Sequence, residues 1–354
     1  MRQESTYKVD LQMEVNMRGK KFLVAGLVLS LSVGVLTGCG AKEESKEITI
    51  TNVSYDPTRE LYEAYNKEFA KYWEEKTGQI VTVTQSHGGS GKQARSVVEG
   101  NEADVVTLAL AHDITAIENA GLINQGWIDE FDKNSSPYTS TIVFLVRKGN
   151  PKNIVDWNDL VKDGVEVITP NPKTSGGACW NFLAAWGYAD KLFAGDEAQI
   201  KDFVSALYKN VTVLDSGARA STTTFVENEQ GDILIAWENE AYLSVNEYPD
   251  KFEIVRPSIS ILAEPSVAIV DEVAKNRESE EVSKAYLEYL YSDVGQRIAG
   301  DNYYRPSNPE ILNEYADVFD LNIELISIND FGGWDKAYSD YFEDGAIFDQ
   351  IYTQ

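Results

Sequence analysis

The stretch QSHGGSGKQARSV, from Gln85 to Val97, holds residue types that could do chemistry. It places His87, Ser90 and Lys92 among three glycines. Glycines let a backbone come close to a bound group, and the polar groups around them could hold a phosphate, a reacting acyl group or a small anion. The stretch therefore predicts a nucleotide loop, the oxyanion loop of a hydrolase or a cradle for a small anion.

A nucleotide loop of the P-loop type requires the pattern G-x-x-x-x-G-K-[ST]. Counting back from Gly91 and Lys92, the first glycine position holds Ser86. Gln93 follows the lysine, where the motif needs the hydroxyl that binds Mg²⁺. Because two of the four fixed positions differ, the pattern disfavours nucleotide binding.

A serine hydrolase of the α/β type needs G-x-S-x-G around its nucleophile and a histidine as its base. The frames around Ser90 and Ser175 each lack one of the two glycines. His87 and His112 are the two histidines of the chain, and neither stands in a recognisable triad context. A triad could still assemble in space, so a secreted serine-dependent hydrolase stays open. Two histidines exclude a His-rich metal site, and the sequence indicates no metal and no cofactor.

The loop at Ser90 is one of three with the same design, in which a strand is followed by a Gly/Ser-rich turn and a helix. The other two are NPKTSGGA, which contains Ser175, and LDSGARAST. A helix N-terminus has unpaired backbone N–H groups and a positive dipole end, so it binds anions without a cationic side chain. One such loop could be a tight turn and nothing more. Three of them favour a shared anion site at the carboxyl ends of the strands.

Strand-like and helix-like segments alternate from Ile48 onward, which predicts an α/β fold. The segment DPTRELYEAYNKEFAKYWEEKTG predicts a helix that ends at Gly78, with Asp56 as its N-cap. Ser90 and Ser175 are further N-cap candidates, and the S-x-x-Q spacing from Ser90 predicts a capping box. Residues 279–300 predict one helix and residues 251–261 predict one strand.

The net charge of −26 is unusual for a chain with 43% hydrophobic and 25% charged residues. It argues against nucleic acid or an anionic membrane surface as a partner, because phosphate groups are bound by Lys and Arg. An anionic ligand would have to be held by local dipoles against the overall field. The acidic excess is otherwise typical of a soluble exported protein.

The N-terminal region MRGKKFLVAGLVLSLSVGVLTGCG has a basic start, an apolar run and a small-residue end. This layout predicts a signal peptide over residues 1–38, with an upstream extension before Met17. An uncleaved membrane anchor is the alternative, since the run is near the short limit of about 17–25 residues for a span. LTGC resembles the lipobox of bacterial lipoproteins, which implies that Cys39 carries a lipid and that residues 39–46 are a tether.

Seven strings spread over Glu47 to Gln354 carry a further resemblance: NVSYDPTRELY, QSHGGSGKQA, TSTIVFLVRKGNPK, ITPNPKTSGGA, VLDSGARAST, LIAWENEA and FGGWDKA. With these strings the chain resembles the sulfate-binding proteins, the receptors of sulfate/thiosulfate ABC importers. The resemblance implies an α/β, two-lobe periplasmic-binding-protein fold of type II, with the ligand in a cleft between lobes joined by hinge strands. Domain I would comprise residues 47–140 and 262–354, and domain II residues 141–261.

The same motifs imply which groups contact the ligand, all of them hydrogen-bond donors. They are the backbone N–H groups of Asp56, Ser90, Gly176, Gly177 and Ala218, the Ser175 hydroxyl and the Trp237 indole. From periodicity alone Trp237 would be a core residue of an apolar strand, and the resemblance reverses that interpretation.

One position departs from the family pattern, which continues SG-x-A-Arg where this chain has Cys179. The departure removes a cation about one helical turn after Ser175. The resemblance implies a monomeric, lipid-anchored receptor that performs no catalysis. It would capture sulfate or thiosulfate outside the cytoplasmic membrane, in the periplasm or on the surface of a Gram-positive cell, and deliver it to an importer. A receptor for another tetrahedral oxyanion, such as molybdate or phosphate, is the alternative.

Overall fold

A computed structural model describes residues 47–352 of the chain, so the predicted leader, Cys39 and the tether lie outside the described residues. Strands and helices alternate through most of the described part, which confirms the predicted α/β class. The strands are β1 Glu47–Tyr55, β2 Ile80–Gly88, β3 Val105–Leu108, β4 Tyr138–Thr139, β5 Ile142–Arg147, β6 Val167–Pro170, β7 Val211–Asp215, β8 Ile233–Trp237, β9 Phe252–Val255, β10 Ile259–Ile261, β11 Ser266–Ile269, β12 Arg305–Pro306 and β13 Glu324–Ile326.

Most helices are short, and none in the described part of the chain is long and apolar enough to cross a membrane. The α-helices are α1 Arg59–Thr77, α2 Ser90–Val98, α3 Ala111–Asn119, α4 Asp132–Ser135, α5 Gly176–Leu192, α6 Glu197–Lys209, α7 Ala218–Val226, α8 Glu238–Glu247, α9 Asp271–Asn276, α10 Glu280–Tyr289, α11 Asp293–Asp301, α12 Pro309–Glu314, α13 Trp334–Tyr341 and α14 Ile347–Ile351. The 3₁₀-helices are Asp56–Thr58, Trp127–Asp129, Trp157–Asp159 and Ile328–Phe331.

The first lobe is built on a four-stranded sheet in the order β11-β3-β1-β2. Strands β1, β2 and β3 run parallel, and β11 pairs antiparallel with β3. Strand β3 is buried along its whole length, as expected for an apolar run covered on both faces. The carboxyl ends of β1 and β2 therefore lie side by side, and they lead into the Asp56 and Ser90 loops.

The second lobe is built on a five-stranded sheet in the order β7-β6-β8-β5-β9. Strand β6 runs parallel to β7 and β8, whereas β5 is antiparallel to β8 and β9. Helix α5 is buried along nearly its whole length, because its sequence is apolar on every side. The carboxyl ends of β6, β7 and β8 bring the Ser175, Ala218 and Trp237 positions to one edge of this sheet.

Two of the chain segments that pass between the lobes run side by side. Ser140 and Ala263 exchange both backbone hydrogen bonds, each at 2.9 Å. One residue further, the Thr141 hydroxyl donates to the Ile261 carbonyl at 2.9 Å and lies 2.8 Å from the Ser260 hydroxyl oxygen. This narrow antiparallel crossing has the form of the hinge in a two-lobe protein.

The C-terminal segment, residues 324–352, packs against elements of both lobes. Strand β13 pairs in parallel with β10, and the ring of Phe182 in α5 lies 5.4 Å from that of Phe342. On the other side, the Tyr338 ring in α13 stacks on His112 in α3 at 3.7 Å. The segment thus covers the lobe interface on the α3 and α5 side.

Three local predictions were wrong. Residues 279–300 form two helices, because the Ser292 hydroxyl accepts from the Gly295 N–H at 3.1 Å and caps a new helix. Residues 251–261 form β9 and β10, which lie in different sheets. Asp56 does not cap α1, since residues 56–58 form a 3₁₀ turn and α1 begins at Arg59 with no side-chain cap. The predicted stop at Gly78 is confirmed, at φ 76°.

Candidate anion-binding site

The N-terminus of helix α5 is capped by Ser175, as the sequence predicted. The Ser175 backbone is extended and its side-chain oxygen accepts from the Ala178 N–H at 3.4 Å. Gly176 and Gly177 are the first two helical residues, so their backbone N–H groups are among those that a helix leaves without an internal partner. The Ser175 side chain is 3% exposed, which places a hydroxyl and two free N–H groups at a buried helix end.

The predicted N-cap role of Ser90 was wrong. Gly89 occupies the N-cap position of α2, and Ser90 is the first helical residue. The Ser90 hydroxyl donates to Asp113 Oδ2 at 2.5 Å and accepts from the Ala109 N–H at 3.0 Å. These two buried partners outcompete the helix backbone for the side chain. The backbone N–H of Ser90 remains at the open end of α2, where the sequence placed it.

The predicted capping box at Ser90 is also absent, because the Gln93 side chain is used elsewhere. Its amide group donates to the carbonyl oxygens of Ser54 at 3.0 Å and Ser86 at 2.8 Å. Gln93 therefore connects α2 to the ends of β1 and β2 and fixes the position of the Ser90 loop relative to these strands.

The second lobe brings two more predicted residues to the same edge. Ala218 is the first residue of α7, after an extended Gly217 at the N-cap. Trp237 is the last residue of β8 and is 1% exposed. Its indole Nε1 donates to the Gly177 carbonyl at 3.2 Å, and its ring lies 5.3 Å from that of Tyr55. The indole N–H thus lies at the first turn of α5.

The loops of the two lobes are in direct contact, so the cleft is closed. A methyl group on Gly89 would lie 2.5 Å from the Thr174 carbonyl oxygen and 3.1 Å from that of Ser216. A methyl group on Gly176 would lie 2.9 Å from the Ser90 Cβ. Glycine is required at both positions, because a side chain on Gly89 would meet the backbone of the other lobe and a side chain on Gly176 would meet the Ser90 side chain.

Asp56 lies where β1 ends, and its carboxylate is packed against Gly217 of the other lobe. Burial raises the pKa of the Asp56 carboxyl, while the charges of Arg59, Arg219 and Lys92 act in the opposite direction. The backbone N–H of Asp56 begins the 3₁₀ turn and is among the groups that such a turn leaves unpaired. The structure therefore brings all of the predicted ligand-binding residues to the facing loop ends of the two lobes.

Sequence reasoning missed an ion-pair cluster that joins the lobes. Arg219, next to Ala218, binds both carboxylate oxygens of Glu60 in α1, at 2.9 and 2.8 Å. Its Nη2 also donates to Glu240 in α8 at 2.9 Å. Burial raises the pKa of Glu60, but the hydrogen bonds and charge of Arg219 outweigh burial and hold that pKa below its usual value.

Three further contacts cross between the lobes. The Trp180 indole donates to the Ala109 carbonyl at 2.9 Å, and the Asn239 amide donates to the Pro57 carbonyl at 3.0 Å. The buried Arg305 binds both oxygens of the buried Glu238, at 2.7 and 3.0 Å. No short sequence signal connects such distant partners.

The two histidines take part in other contacts. His87 Nε2 lies 2.6 Å from Gln85 Oε1, and burial lowers the pKa of His87 to about 4. His112 stacks on Tyr338, as described above, and burial also lowers its pKa. Within residues 47–352 no three His, Cys, Asp or Glu side chains are grouped to hold a metal. The donors at the site are N–H and O–H groups, which suit an anion.

Two α/β lobes whose helix N-termini face a closed cleft have the architecture of the periplasmic-binding class of solute receptors. A profile of the family described as bacterial extracellular solute-binding protein matches residues 58–305, and the chain belongs to this family.

Three relatives cover most of the chain. It is 61% identical to the sulfate-binding protein of Escherichia coli over 309 residues, 87% of this chain and 94% of that protein. It is 48% identical to the thiosulfate-binding protein of Pseudomonas aeruginosa over 326 residues, 91% of this chain and 97% of that protein. The solved structure of the sulfate-binding protein SubI from Mycobacterium tuberculosis superimposes with a TM-score of 0.76 at 32% identity, covering 83% of this chain and 99% of that one.

Proposed function

We propose that this protein is an extracytoplasmic receptor that binds sulfate or thiosulfate between its lobes and delivers the anion to an ABC importer. The observation that carries the proposal is the convergence of unpaired donors from both lobes at one closed cleft. The relatives that bind these two anions cover almost all of the chain, which supports the choice of ligand.

The proposed ligand contacts are the residues that the sequence indicated. A tetrahedral oxyanion in the cleft would accept from the backbone N–H groups at the ends of α2, α5 and α7 and from the 3₁₀ turn. The Ser175 hydroxyl and the Trp237 indole would complete the set, the indole by leaving the Gly177 carbonyl. Trp Nε1–H is a donor and never an acceptor, so it suits a fully ionised ligand.

The proposal includes the architecture outside the site. Domain I comprises residues 47–140 and 262–354, and domain II residues 141–261, with the hinge at the paired Ser140 and Ala263 segments. The mature protein is a monomer that begins at a lipidated Cys39 on the outer face of the cytoplasmic membrane. Residues 39–46 serve as its tether.

A serine hydrolase is the second candidate, and the geometry favours the receptor. The Ser90 hydroxyl donates to a carboxylate, and the Ser175 hydroxyl oxygen accepts from a backbone N–H. A hydrolase would instead pair one of them with a histidine.

The proposed function is tested by calorimetric titration of the purified protein with sulfate, thiosulfate and molybdate, together with an assay for ester turnover. We expect saturable binding of sulfate or thiosulfate, no turnover, and no adduct of a serine-directed inhibitor on Ser90 or Ser175. Ester hydrolysis that is lost in a Ser175→Ala or Ser90→Ala variant would contradict the proposal.

A further inference from the structure

A cavity of about 270 Å³ lies behind the site, between α2, α3, the loop before α5 and α13. Asp113 of α3 lines this cavity and is 6% exposed. Its Oδ2 accepts the hydrogen bond from the Ser90 hydroxyl at 2.5 Å. Asp113 is therefore one hydrogen bond away from Ser90, whose backbone N–H is one of the proposed anion contacts.

No cationic side chain within residues 47–352 forms an ion pair with Asp113. Arg95, exposed at the cavity rim, acts on it through space. Lys173 also lines the cavity, but its amino group donates to the Phe342 carbonyl at 2.9 Å and to Asp349 at 2.8 Å. Asp113 is thus a buried carboxylate whose close partner is a neutral hydroxyl.

The groups that face Asp113 across the cavity come from each element packed around it. They are Arg95 of α2, Glu99 at the C-terminal end of α2, His112 of α3, Lys173 before α5, Cys179 of α5 and Tyr338 of α13. Ser90 of α2 contacts Asp113 directly. The Cys179 thiol donates to the Pro172 carbonyl at 3.4 Å. Burial and the charge of Asp113 raise the pKa of that thiol, so it stays neutral and does not offset the carboxylate.

An ionised Asp113 repels a divalent anion at the end of α2, because both charges share a buried region of low dielectric. Since Asp113 fixes the Ser90 side chain, it also sets the position of the Ser90 backbone N–H, the proposed donor at the end of α2. We propose that Asp113 is a positioning residue whose negative charge opposes the bound anion, so that the protein takes up a proton at Asp113 when the anion binds. This inference rests on the proposed function, because it needs an anion at the Ser90 loop.

The direction of the pH effect follows from the charges. Burial raises the pKa of Asp113 to about 6, although the Ser90 hydrogen bond and the charge of Arg95 act in the opposite direction. A bound dianion would raise that pKa further. Affinity should therefore increase as the pH falls from about 8 to about 6, and level off below the pKa of the ligand-free protein. Because burial lowers the pKa values of His87 and His112, both histidines are neutral in most of this window.

The test is a sulfate titration of the full chain by calorimetry at about pH 8, 7 and 6. If the anion raises the pKa of Asp113 from about 6 by about one unit, affinity should increase about fivefold over this range, and the full factor of about ten is reached only well below pH 6. Repeating the pH 7 titration in two buffers with different ionisation enthalpies should show proton uptake. The Asp113→Asn variant keeps an acceptor for Ser90 but carries no charge, so we expect it to bind without pH dependence and without proton uptake.

Cys179→Arg provides a second test if Asp113→Asn fails to fold. An arginine in the cavity would keep Asp113 ionised in both the ligand-free and the sulfate-bound protein. The sulfate affinity of the Cys179→Arg variant should therefore also be independent of pH over this range. Cys179→Ser, which adds no charge, is the matched control and should retain the wild-type pH dependence.

Two results would overturn the inference. One is a wild-type sulfate affinity that changes by less than about twofold between pH 8 and 6, where a shift of one pKa unit would give about fivefold. The other is a pH dependence that survives unchanged in folded Asp113→Asn or Cys179→Arg protein. Absence of sulfate binding at every pH would instead contradict the proposed function itself, and the inference with it.

Discussion

At the scale of single residues, the two serines of the site have different roles although both begin a helix. We propose that Ser175 offers its hydroxyl to the cleft, whereas the hydroxyl of Ser90 is held by Asp113 and Ala109. Removing the Ser175 hydroxyl should therefore affect mainly ligand binding, whereas removing the Ser90 hydroxyl should affect mainly stability.

We expect Ser175→Ala to weaken sulfate binding by about 1.5–3 kcal/mol, the range for a hydrogen bond to a charged group. Ser90→Ala should weaken binding less, because its backbone N–H is kept. It should lower the free energy of unfolding by about 1–3 kcal/mol, since the Asp113 carboxylate loses its buried donor. Calorimetry and denaturant unfolding of both variants measure the two effects. A Ser90→Ala variant with the larger loss of affinity would reverse the assignment.

The residue scale also shows what a sequence pattern can indicate. Ser175 was predicted as an N-cap and is one, because the cap is a local contact within three residues. Ser90 and Asp56 were predicted by the same pattern and do not cap. In the case of Ser90, the reason is a partner 23 positions away. The Arg219–Glu60 pair joins residues 159 positions apart and had no signal in either segment.

At the scale of secondary structure elements, the proposed site consists of helix ends more than of side chains. Strand, Gly/Ser loop and helix follow one another three times, and parallel strands bring each loop to the same edge of its sheet. This order was predictable, because turn glycines and apolar strands are local signals. The contact between loops of opposite lobes was not, since it depends on how the hinge closes.

Gly89→Ala tests that contact between elements. The added methyl group would lie 2.5 Å from the Thr174 carbonyl oxygen of the other lobe, so the closed state is penalised while the open state is not. Overpacking of about 1–3 kcal/mol corresponds to a loss of sulfate affinity of about 5- to 150-fold. The melting temperature of the ligand-free protein should change little.

Gly88→Ala is the matched control for this prediction, because the three atoms nearest to its methyl group belong to the Gln93 side chain and lie 3.4 Å or more away. We expect near wild-type affinity for this variant. Equal affinities for Gly89→Ala and Gly88→Ala would show that the two loops do not meet in the sulfate-bound protein.

At the scale of the whole molecule, we propose that the two lobes, the hinge and the predicted anchor act together. A receptor held at the membrane stays close to its importer, and closure of the lobes presents a loaded form to it. Because the chain carries a net charge of −26, its overall field opposes an anionic ligand. Local dipoles would therefore have to hold the anion in the proposed site.

The anchor is tested by Cys39→Ser expressed in a bacterial host with the lipoprotein pathway. Because the thioether cannot form, we expect the variant to leave the membrane fraction or to remain unprocessed. Fractionation and mass spectrometry of the mature N-terminus measure this. A variant that is processed and retained as the wild type is would disprove the predicted lipidation.

The central claim is that the cleft presents donors alone to a fully ionised anion, and the choice between sulfate and phosphate tests it most directly. Sulfate accepts from every donor near neutral pH, whereas hydrogen phosphate keeps a proton that needs an acceptor. A buried donor facing another donor costs about 1–3 kcal/mol for each unpaired group. The Asp56 carboxylate and the Ser175 hydroxyl are the groups at the site that could relieve this mismatch by accepting.

The decisive measurement is a pair of calorimetric titrations with sulfate and phosphate at neutral pH and matched ionic strength. We predict that sulfate binds at least about a hundredfold more tightly, which corresponds to about 2.7 kcal/mol. Phosphate binding within about tenfold of sulfate, or 1.4 kcal/mol, would show that an acceptor faces the ligand and would contradict a site made of donors alone.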